Sequence, residues 1–273
     1  MRDDVIPNLV GLSPINCNRS ENLPSLGQLP SLKHLKVHGM DAIKCISIGF
    51  YGYDETTKAF PSLEELEFYD LPNWEEWSAI NGRELLLKLR KLAIEECSML
   101  RTTPSILSLK DLELMSCNPT IIMSVSSLTS LSSLKISDFD QLTSFPKGML
   151  QNSTNLSSLY ILSLPELMFL GSVLDNLVAL KSLCIVDCRK LASLPEGLKN
   201  LTALEKLEIS ICKRLISIPE EGMQGMTSFR NLSINSCANL TSLPGLQYLT
   251  ALETMAITGC KEMVVLPDAT KSL

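Results

Sequence analysis

Cysteine, histidine and paired acidic residues are the side chains of this sequence whose types and spacing could support chemistry. His34 and His38 are four residues apart, and Cys184 and Cys188 have the same spacing. On an extended strand four residues span about 13 Å. That separation is too long for a shared metal ion or for a disulfide. Neither pair therefore predicts a metal site or a cross-link.

Adjacent acids offer a second possible chemistry, general acid–base catalysis. Glu64 and Glu65, like Glu95 and Glu96, are neighbours in the sequence. Neighbours on a strand point to opposite faces, so these pairs indicate a solvated surface instead of a catalytic dyad. The sequence also contains no G-x-x-x-x-G-K-[ST], G-x-G-x-x-G or H-E-x-x-H motif. We therefore expect a protein that is not an enzyme and binds no cofactor or metal ion.

A leucine-rich frame must position all of these residues. Its clearest copies are LKSLCIVDCRKLASLP (180–195), LEKLEISICKRLISIP (204–219) and FRNLSINSCANLTSLP (229–244). The period of about 24 residues is typical of leucine-rich repeats, and L-x-x-L-x-I has the period-2 pattern of a half-buried strand. Eleven copies follow from the second leucine position, at Leu12, Leu35, Leu66, Leu92, Leu112, Leu134, Leu159, Leu183, Leu207, Leu232 and Met255.

The frame predicts an α/β-type leucine-rich-repeat solenoid of about 10–11 repeats. We expect a curved parallel sheet on the concave face and a mostly irregular or 3-10 convex side. One domain is expected over residues 1–273, with an irregular insertion at 40–60 and an irregular repeat at 115–130. Pro14 replaces the strand isoleucine of the first copy, which predicts a frayed strand there. Both ends interrupt the repeat without a polar cap, so we interpret the chain as a fragment.

Seven of the nine cysteines occupy one repeat position, three residues after the strand isoleucine. A small side chain there can bond to neighbouring loop carbonyls inside the stack, and free cysteine is among the most buried residue types. These thiols are therefore expected to be structural and reduced, which favours a cytoplasmic or nuclear protein. They are Cys17, Cys97, Cys117, Cys188, Cys212, Cys237 and Cys260.

Composition excludes two classes of partner. The net charge of −6 argues against a nucleic-acid-binding surface. No uninterrupted apolar run approaches the ~18 residues of a membrane span, and the acidic start MRDDVIPNLVG is unlike a signal peptide. The variable strand positions are then the natural place for a protein partner.

The candidate binding site combines these variable strand positions with the inserted loop. The second copy carries a basic stretch, and the next two copies are mostly acidic. Tyr51 and Tyr53 lie in the insertion and are not explained by the repeat, whereas Phe60 and Phe68 replace repeat leucines and Trp74 and Trp77 are interpreted as packing. The predicted protein-binding residues are Lys33, His34, Lys36, His38, Tyr51, Tyr53, Glu65, Glu67, Tyr69 and Glu95.

Two segments carry a family resemblance. ENLPSLGQLPSLKHLKV (21–37) and AFPSLEELEFYDLPNWEEW (59–77) resemble the repeat region of plant nucleotide-binding leucine-rich-repeat disease-resistance proteins, of the coiled-coil, non-TIR branch. The resemblance implies that the repeats recognise a pathogen effector or a guarded host protein. It also implies that they restrain a nucleotide-binding switch domain in the same receptor. ATP or ADP is expected only in that switch domain, whose P-loop motif this sequence lacks.

A substrate adaptor of the F-box leucine-rich-repeat type is the alternative interpretation. Such adaptors also place cysteine at this repeat position, but their repeats continue as C-x-x-[IL]-T-D-x-G-[IL]. This sequence has L-x-x-L-P at the corresponding place. Other intracellular protein-interaction scaffolds complete the alternatives.

Overall fold

The computed structural model describes residues 6–52, 59–78 and 85–264. Contacts divide the chain into two compact units, Met1–Leu131 and Ser132–Leu273. Each unit has a strand for every leucine-rich copy that the sequence predicts within it. The expectation of one domain over residues 1–273 stays a prediction.

Seven strands belong to the first unit: β1 (Gly11–Leu12), β2 (His34–His38), β3 (Cys45–Ile46), β4 (Glu65–Tyr69), β5 (Glu76–Trp77), β6 (Lys91–Glu95) and β7 (Asp111–Met115). The main sheet has the order β1-β2-β4-β6-β7, and every described pairing in it is parallel. β3 and β5 form a small second sheet. Two 3-10 helices, Ile48–Tyr51 and Pro119–Ser127, complete the unit.

Six strands belong to the second unit: β8 (Ser133–Ser137), β9 (Ser158–Leu162), β10 (Ser182–Val186), β11 (Lys206–Ser210), β12 (Asn231–Asn235) and β13 (Thr254–Thr258). Each strand pairs in parallel with the next. The connections contain 3-10 helices at Glu196–Asn200 and Leu246–Tyr248 and the single-turn helix α1 (Glu220–Met223).

Burial alternates along the strands as the repeat predicts. In β10, Leu183 and Ile185 are fully buried, whereas the residues between and beside them are partly exposed. The register pairs Leu183 with Leu207 and Ile185 with Ile209, so like residues stack on like residues from copy to copy. A single copy could not bury its leucines, and the stack does so through its neighbours. Parallel strands joined by irregular and 3-10 segments confirm the predicted leucine-rich-repeat fold.

The irregular copies depart from the frame where the sequence predicts. β1 ends at Leu12, two residues before Pro14, which confirms a frayed first strand. The 3-10 helix Pro119–Ser127 lies in the predicted irregular repeat at 115–130. In the insertion, a Cβ on Gly27 would lie 2.1 Å from the carbonyl oxygen of Tyr51. Only glycine therefore allows the segment Ile48–Tyr51 to pack this closely against the preceding copy.

A left-handed residue follows every five-residue strand in the described residues. Examples are Asp70, Asp187 and Ile211, with φ values of 52°, 55° and 60°. Asp187 donates its backbone N–H to the carbonyl of Ser210 at 2.9 Å, so the ladder gains one more bond before the chain turns. Isoleucine is unusual here, because a β-branched residue is strained in the left-handed region.

Five of the seven repeat cysteines are buried, as predicted, whereas Cys17 is exposed and Cys260 is partly exposed. Cys97, Cys117, Cys188, Cys212 and Cys237 are buried. The Cys117 thiol donates to the carbonyl of Ile94 in the preceding copy at 3.3 Å and to that of Met115 at 3.2 Å. All nine cysteines are free thiols. Each buried thiol therefore donates to carbonyls in the last residues of the strands, and not to the loop carbonyls that the sequence predicts.

Candidate functional site

Opposite charges face each other across neighbouring strands of the first unit. The variable residues of β2, β4, β6 and β7 lie on one side of the sheet, here called the first-unit face. Parallel register places His34 beside Glu65 and Lys36 beside Glu67. It then places Glu65 beside Lys91. The basic and acidic stretches of the sequence thus become one surface on which the sign of the charge alternates.

An ion pair between Lys33 and Glu64 and a contact between His34 and Glu65 join this part of the face. The Lys33 ammonium lies 3.0 Å from the Glu64 carboxylate, and His34 Nδ1 lies 3.2 Å from Glu65. The hydrogen bond and the charge of Lys33 hold the pKa of Glu64 below its usual value. These side chains are about half exposed, so each pair contributes little stability. Their effect is to order long side chains on the face.

Lys36, Glu67 and Tyr69 form a cluster on the first-unit face. The Glu67 carboxylate has 19% side-chain exposure and lies 3.5 Å from the Lys36 ammonium. It also accepts a 3.0 Å hydrogen bond from the Tyr69 hydroxyl. The Lys36 ammonium lies 4.4 Å from the centroid of the Tyr69 ring, at cation–π distance. The three side chains hold one another in a defined arrangement.

Burial and the hydrogen bond to Glu67 raise the pKa of Tyr69, so its phenol remains a donor at neutral pH. His38 packs edge-on against the same ring, with 6.3 Å between centroids. Glu95 pairs with Tyr69 in the register of β4 and β6. Structure therefore brings His38, Glu95 and the Lys36–Glu67–Tyr69 cluster together on one face.

Lys91 and Glu113 belong to the same face and were absent from the predicted site. The Lys91 ammonium lies 3.9 Å from Glu67 and 3.3 Å from Glu113. Partial burial would lower the pKa of Lys91, but the charges of Glu113 and Glu67 outweigh it and raise the pKa. The signal for these residues was available in the sequence, because Lys91 occupies the same repeat position as His34 and Glu65.

Tyr51 is not on this face, which corrects the prediction that it is an exposed contact. It is 3% exposed and belongs to an aromatic core, where its ring packs edge-on against Phe50 and Phe60. Its hydroxyl accepts a 2.8 Å hydrogen bond from Trp77. The Tyr51 side chain points inward because it fills core volume that leucine fills in a regular copy. Tyr53 lies outside the described residues.

Aromatic residues that were interpreted as core or packing are buried. Phe60, Phe68 and Trp74 are fully buried, and Trp77 is 5% exposed. The Trp74 indole satisfies its N–H by donating to the carbonyl of Glu76 at 2.8 Å. The concentration of aromatic residues in this part of the sequence thus reflects packing of the irregular copies.

An open hollow of about 190 Å³ lies at the β1 end of the first-unit face, lined by Gly11, Leu12, Ser13, His34, Leu35, Lys36, Glu65 and Glu67. Its lining combines paired charges with strand backbone, which suits a polar side chain of a protein partner. Across the described residues, no group of three or more His, Cys, Asp and Glu side chains is placed to hold a metal ion. None of the helices in the described ranges has the length and apolarity to cross a bilayer.

Known plant proteins match this sequence. It is 32% identical over 161 residues to disease resistance protein RGA1 of Solanum bulbocastanum and 36% identical over 121 residues to disease resistance RPP13-like protein 1 of Arabidopsis thaliana. The chain is similar to the leucine-rich-repeat region of plant disease-resistance proteins. The matches cover 59% and 40% of this chain, but only 16% and 12% of those relatives.

Solved structures agree with the leucine-rich-repeat fold. The leucine-rich-repeat domain of the type III effector XopL superposes with a TM-score of 0.63 at 25% identity, covering 78% of this chain and 74% of that domain. No protein-family model matches the sequence. The similarity to disease-resistance proteins therefore rests on individual relatives. The leucine-rich-repeat fold is supported both by the strands described above and by this solved structure.

Proposed function

We propose that this leucine-rich-repeat chain is the protein-recognition region of an intracellular plant immune receptor of the coiled-coil, non-TIR branch. Its partner is a pathogen effector or a host protein that such an effector modifies. The same repeats restrain a nucleotide-binding switch domain of the receptor until the partner is bound. The similarity to disease-resistance proteins supports the class of function, and the free thiols support a cytoplasmic or nuclear setting.

The arrangement of Lys36, Glu67 and Tyr69 is the observation that carries the choice of surface. A partly exposed aromatic ring beside two ordered, opposite charges is a typical centre of a protein interface. Because the charges are already paired, a partner gains little by bringing a single charge of either sign. It must match the alternating pattern, and electrostatic matching of that kind determines specificity more than affinity. Binding, not catalysis, is the activity proposed.

Recognition is tested by exchanging charges on the face. A panel of pathogen effectors and candidate host targets is expressed in leaf tissue with the full chain, and binding is measured by co-purification and biolayer interferometry. For any partner found, Lys36→Glu or Glu67→Lys is expected to weaken binding about tenfold or more. The matched control is Lys206→Glu or Glu208→Lys, in the 3.1 Å ion pair of β11. Equal effects of both sets would reject the first-unit face.

Restraint of the switch domain needs a separate assay. The nucleotide-binding domain of the parent receptor is prepared with bound fluorescent ADP, and the chain is added in trans. Release of ADP is expected to slow, and addition of the recognised partner is expected to reverse that effect. Unchanged release would reject restraint while leaving partner recognition intact. A partner shown to be ubiquitinated through the chain would favour the substrate-adaptor alternative.

A further inference from the structure

Six residues of the second unit share one repeat position. The first is Thr143, and the other five form a row that is here called the outer row: Met168, Ala192, Ile216, Thr241 and Val264. Backbone hydrogen bonds join its members, from Ala192 N–H to the Met168 carbonyl at 3.5 Å and from Thr241 N–H to the Ile216 carbonyl at 3.0 Å. Val264 N–H donates to Thr241 at 3.2 Å. The register of β10 and β11 places Ala192 in step with Ile216. Each member of the outer row lies seven residues after the strand isoleucine, on the segment that follows the strand.

Large and small side chains alternate along the outer row. Met168, Ile216 and Val264 are 37%, 55% and 81% exposed, although all three are apolar. Ala192 and Thr241 lie between them and are too small to fill the space beside them. A solvated loop gains nothing from three exposed apolar side chains in line, and a row of this kind indicates an interaction site.

The spacing of the large residues suits an α-helix. Adjacent copies are about 4.8 Å apart, so large residues in alternate copies are separated by about 9.6 Å. Seven residues of an α-helix rise about 10.5 Å. A helix lying along the outer row could therefore place apolar side chains, seven residues apart, into the gaps at Ala192 and Thr241. A regular row of leucine-sized residues would not provide such gaps.

Basic residues border the outer row. Lys213 and Arg214, in the turn before Ile216, and Lys261, before Val264, are all exposed. Within residues 6–52, 59–78 and 85–264, no ion pair engages these three side chains. The neighbouring bases, by contrast, are paired, Arg189 with Asp187 and Lys190 with Glu166. A local excess of positive charge on a chain of net charge −6 favours an acidic partner.

We propose that the outer row binds an amphipathic helix of a partner protein. The helix carries apolar residues seven positions apart, which fill the gaps at Ala192 and Thr241. Acidic residues along one edge of the helix face Lys213 and Arg214. This surface is separate from the first-unit face, so the proposal goes beyond recognition by that face and does not depend on it. Helix-in-groove recognition of this type reads apolar anchors at helical spacing.

An anionic membrane would also meet apolar and basic residues, but the outer row fits it less well. Lipid recognition by basic residues typically needs a cluster of about 4–8. Only three unpaired bases border the outer row in the described part of the chain. A fluid lipid surface has no fixed spacing that would match the alternation of large and small side chains along the outer row. The partner is therefore taken to be a helix.

The test uses a fluorescein-labelled synthetic peptide of about 21 residues, or three heptads, with leucine at every seventh position and glutamate on one edge. Anisotropy is measured against the full chain. Ile216→Ser removes an anchor, and Ala192→Phe fills a gap; each is expected to weaken binding about tenfold. Val178→Ser, which changes another exposed apolar residue (53% exposed) of the same unit, is the matched control.

Charge is tested in parallel. Lys213→Glu combined with Arg214→Glu should weaken binding of the acidic peptide and restore binding of a peptide with lysine in place of glutamate. Lys147→Glu combined with Lys199→Glu, at two other exposed lysines, is the control for the change in net charge. Absence of binding by the unaltered chain, or equal loss with Val178→Ser, overturns the proposal. Binding to phosphatidylserine vesicles without binding to the peptide overturns it in favour of a membrane contact. Circular dichroism confirms that each variant is folded.

Discussion

Trp77 donates a hydrogen bond from its indole Nε1 to the hydroxyl oxygen of Tyr51 at 2.8 Å. The two residues are 26 positions apart, and both are buried. This bond ties the 3-10 helix of the insertion to β5. An irregular segment that could have projected into solvent is thereby made part of the core, and its polar groups are satisfied inside it.

Removal of this hydroxyl should destabilise the fold. In Tyr51→Phe the Trp77 N–H loses its partner inside the core, and a buried donor without a partner costs about 1–3 kcal/mol. The free energy of unfolding is measured by urea titration followed by tryptophan fluorescence. Tyr248→Phe, at a tyrosine that is 37% exposed, should leave it nearly unchanged. An unaltered midpoint for Tyr51→Phe would contradict the role assigned to this bond.

Lys33→Met should raise the pKa of Glu64 towards its usual value. Because the folded-state pKa is lowered, the Lys33–Glu64 pair stabilises the fold above the unfolded-state pKa of about 4.3 and loses that effect as pH falls through the folded pKa. Carbon-13 NMR titration of the carboxyl group measures the change. Lys199→Met, in the second unit, provides the control. The same titration curve before and after Lys33→Met would mean that the pair is not formed in solution.

Ile211→Asn should stabilise the chain. Ile211 has φ of 60°, and the left-handed conformation costs an ordinary residue about 1–2 kcal/mol, whereas asparagine tolerates it. The residue is 36% exposed, so most of its surface is buried and the lost apolar contact offsets part of this relief of strain. We expect a gain of about 1 kcal/mol and a rise in Tm of a few degrees, measured by calorimetry. Ile211→Val keeps the branched side chain and should give no gain; a gain with valine would refute the explanation by backbone strain.

Alkylation should distinguish the cysteines. Burial raises the pKa of Cys117 to about 11, and the thiol is enclosed by the stack. Cys17 is exposed. Iodoacetamide at pH 8 is therefore expected to label Cys17 within minutes and to leave Cys97, Cys117 and Cys188 unmodified until urea unfolds the chain. Peptide mass spectrometry reads the result. Early labelling of Cys117 would show that the first unit opens far more readily than its packing indicates.

The strands were predictable because the alternation of apolar and variable residues depends only on neighbours in the sequence. The leucines that define this alternation are buried in the copies described. The register was equally accessible, since it follows from aligning Leu35 with Leu66. To predict that Lys36 pairs with Glu67, one further step was needed: the variable positions of adjacent copies had to be compared. Burial of Tyr51 could not be predicted, because it depends on the close approach of Gly27 in a copy that departs from the repeat.

The left-handed residue that ends each strand has a consequence for how such a gene can change. Its N–H bonds to the carbonyl of the following copy, as Asp187 does to Ser210, and the next left-handed residue, Ile211, does to Asn235. Each junction between copies therefore uses the same donor and acceptor. Unequal recombination that adds or deletes one whole copy rejoins compatible ends, whereas a deletion out of phase leaves buried amides without acceptors. Length can thus vary in units of one repeat while the backbone remains satisfied.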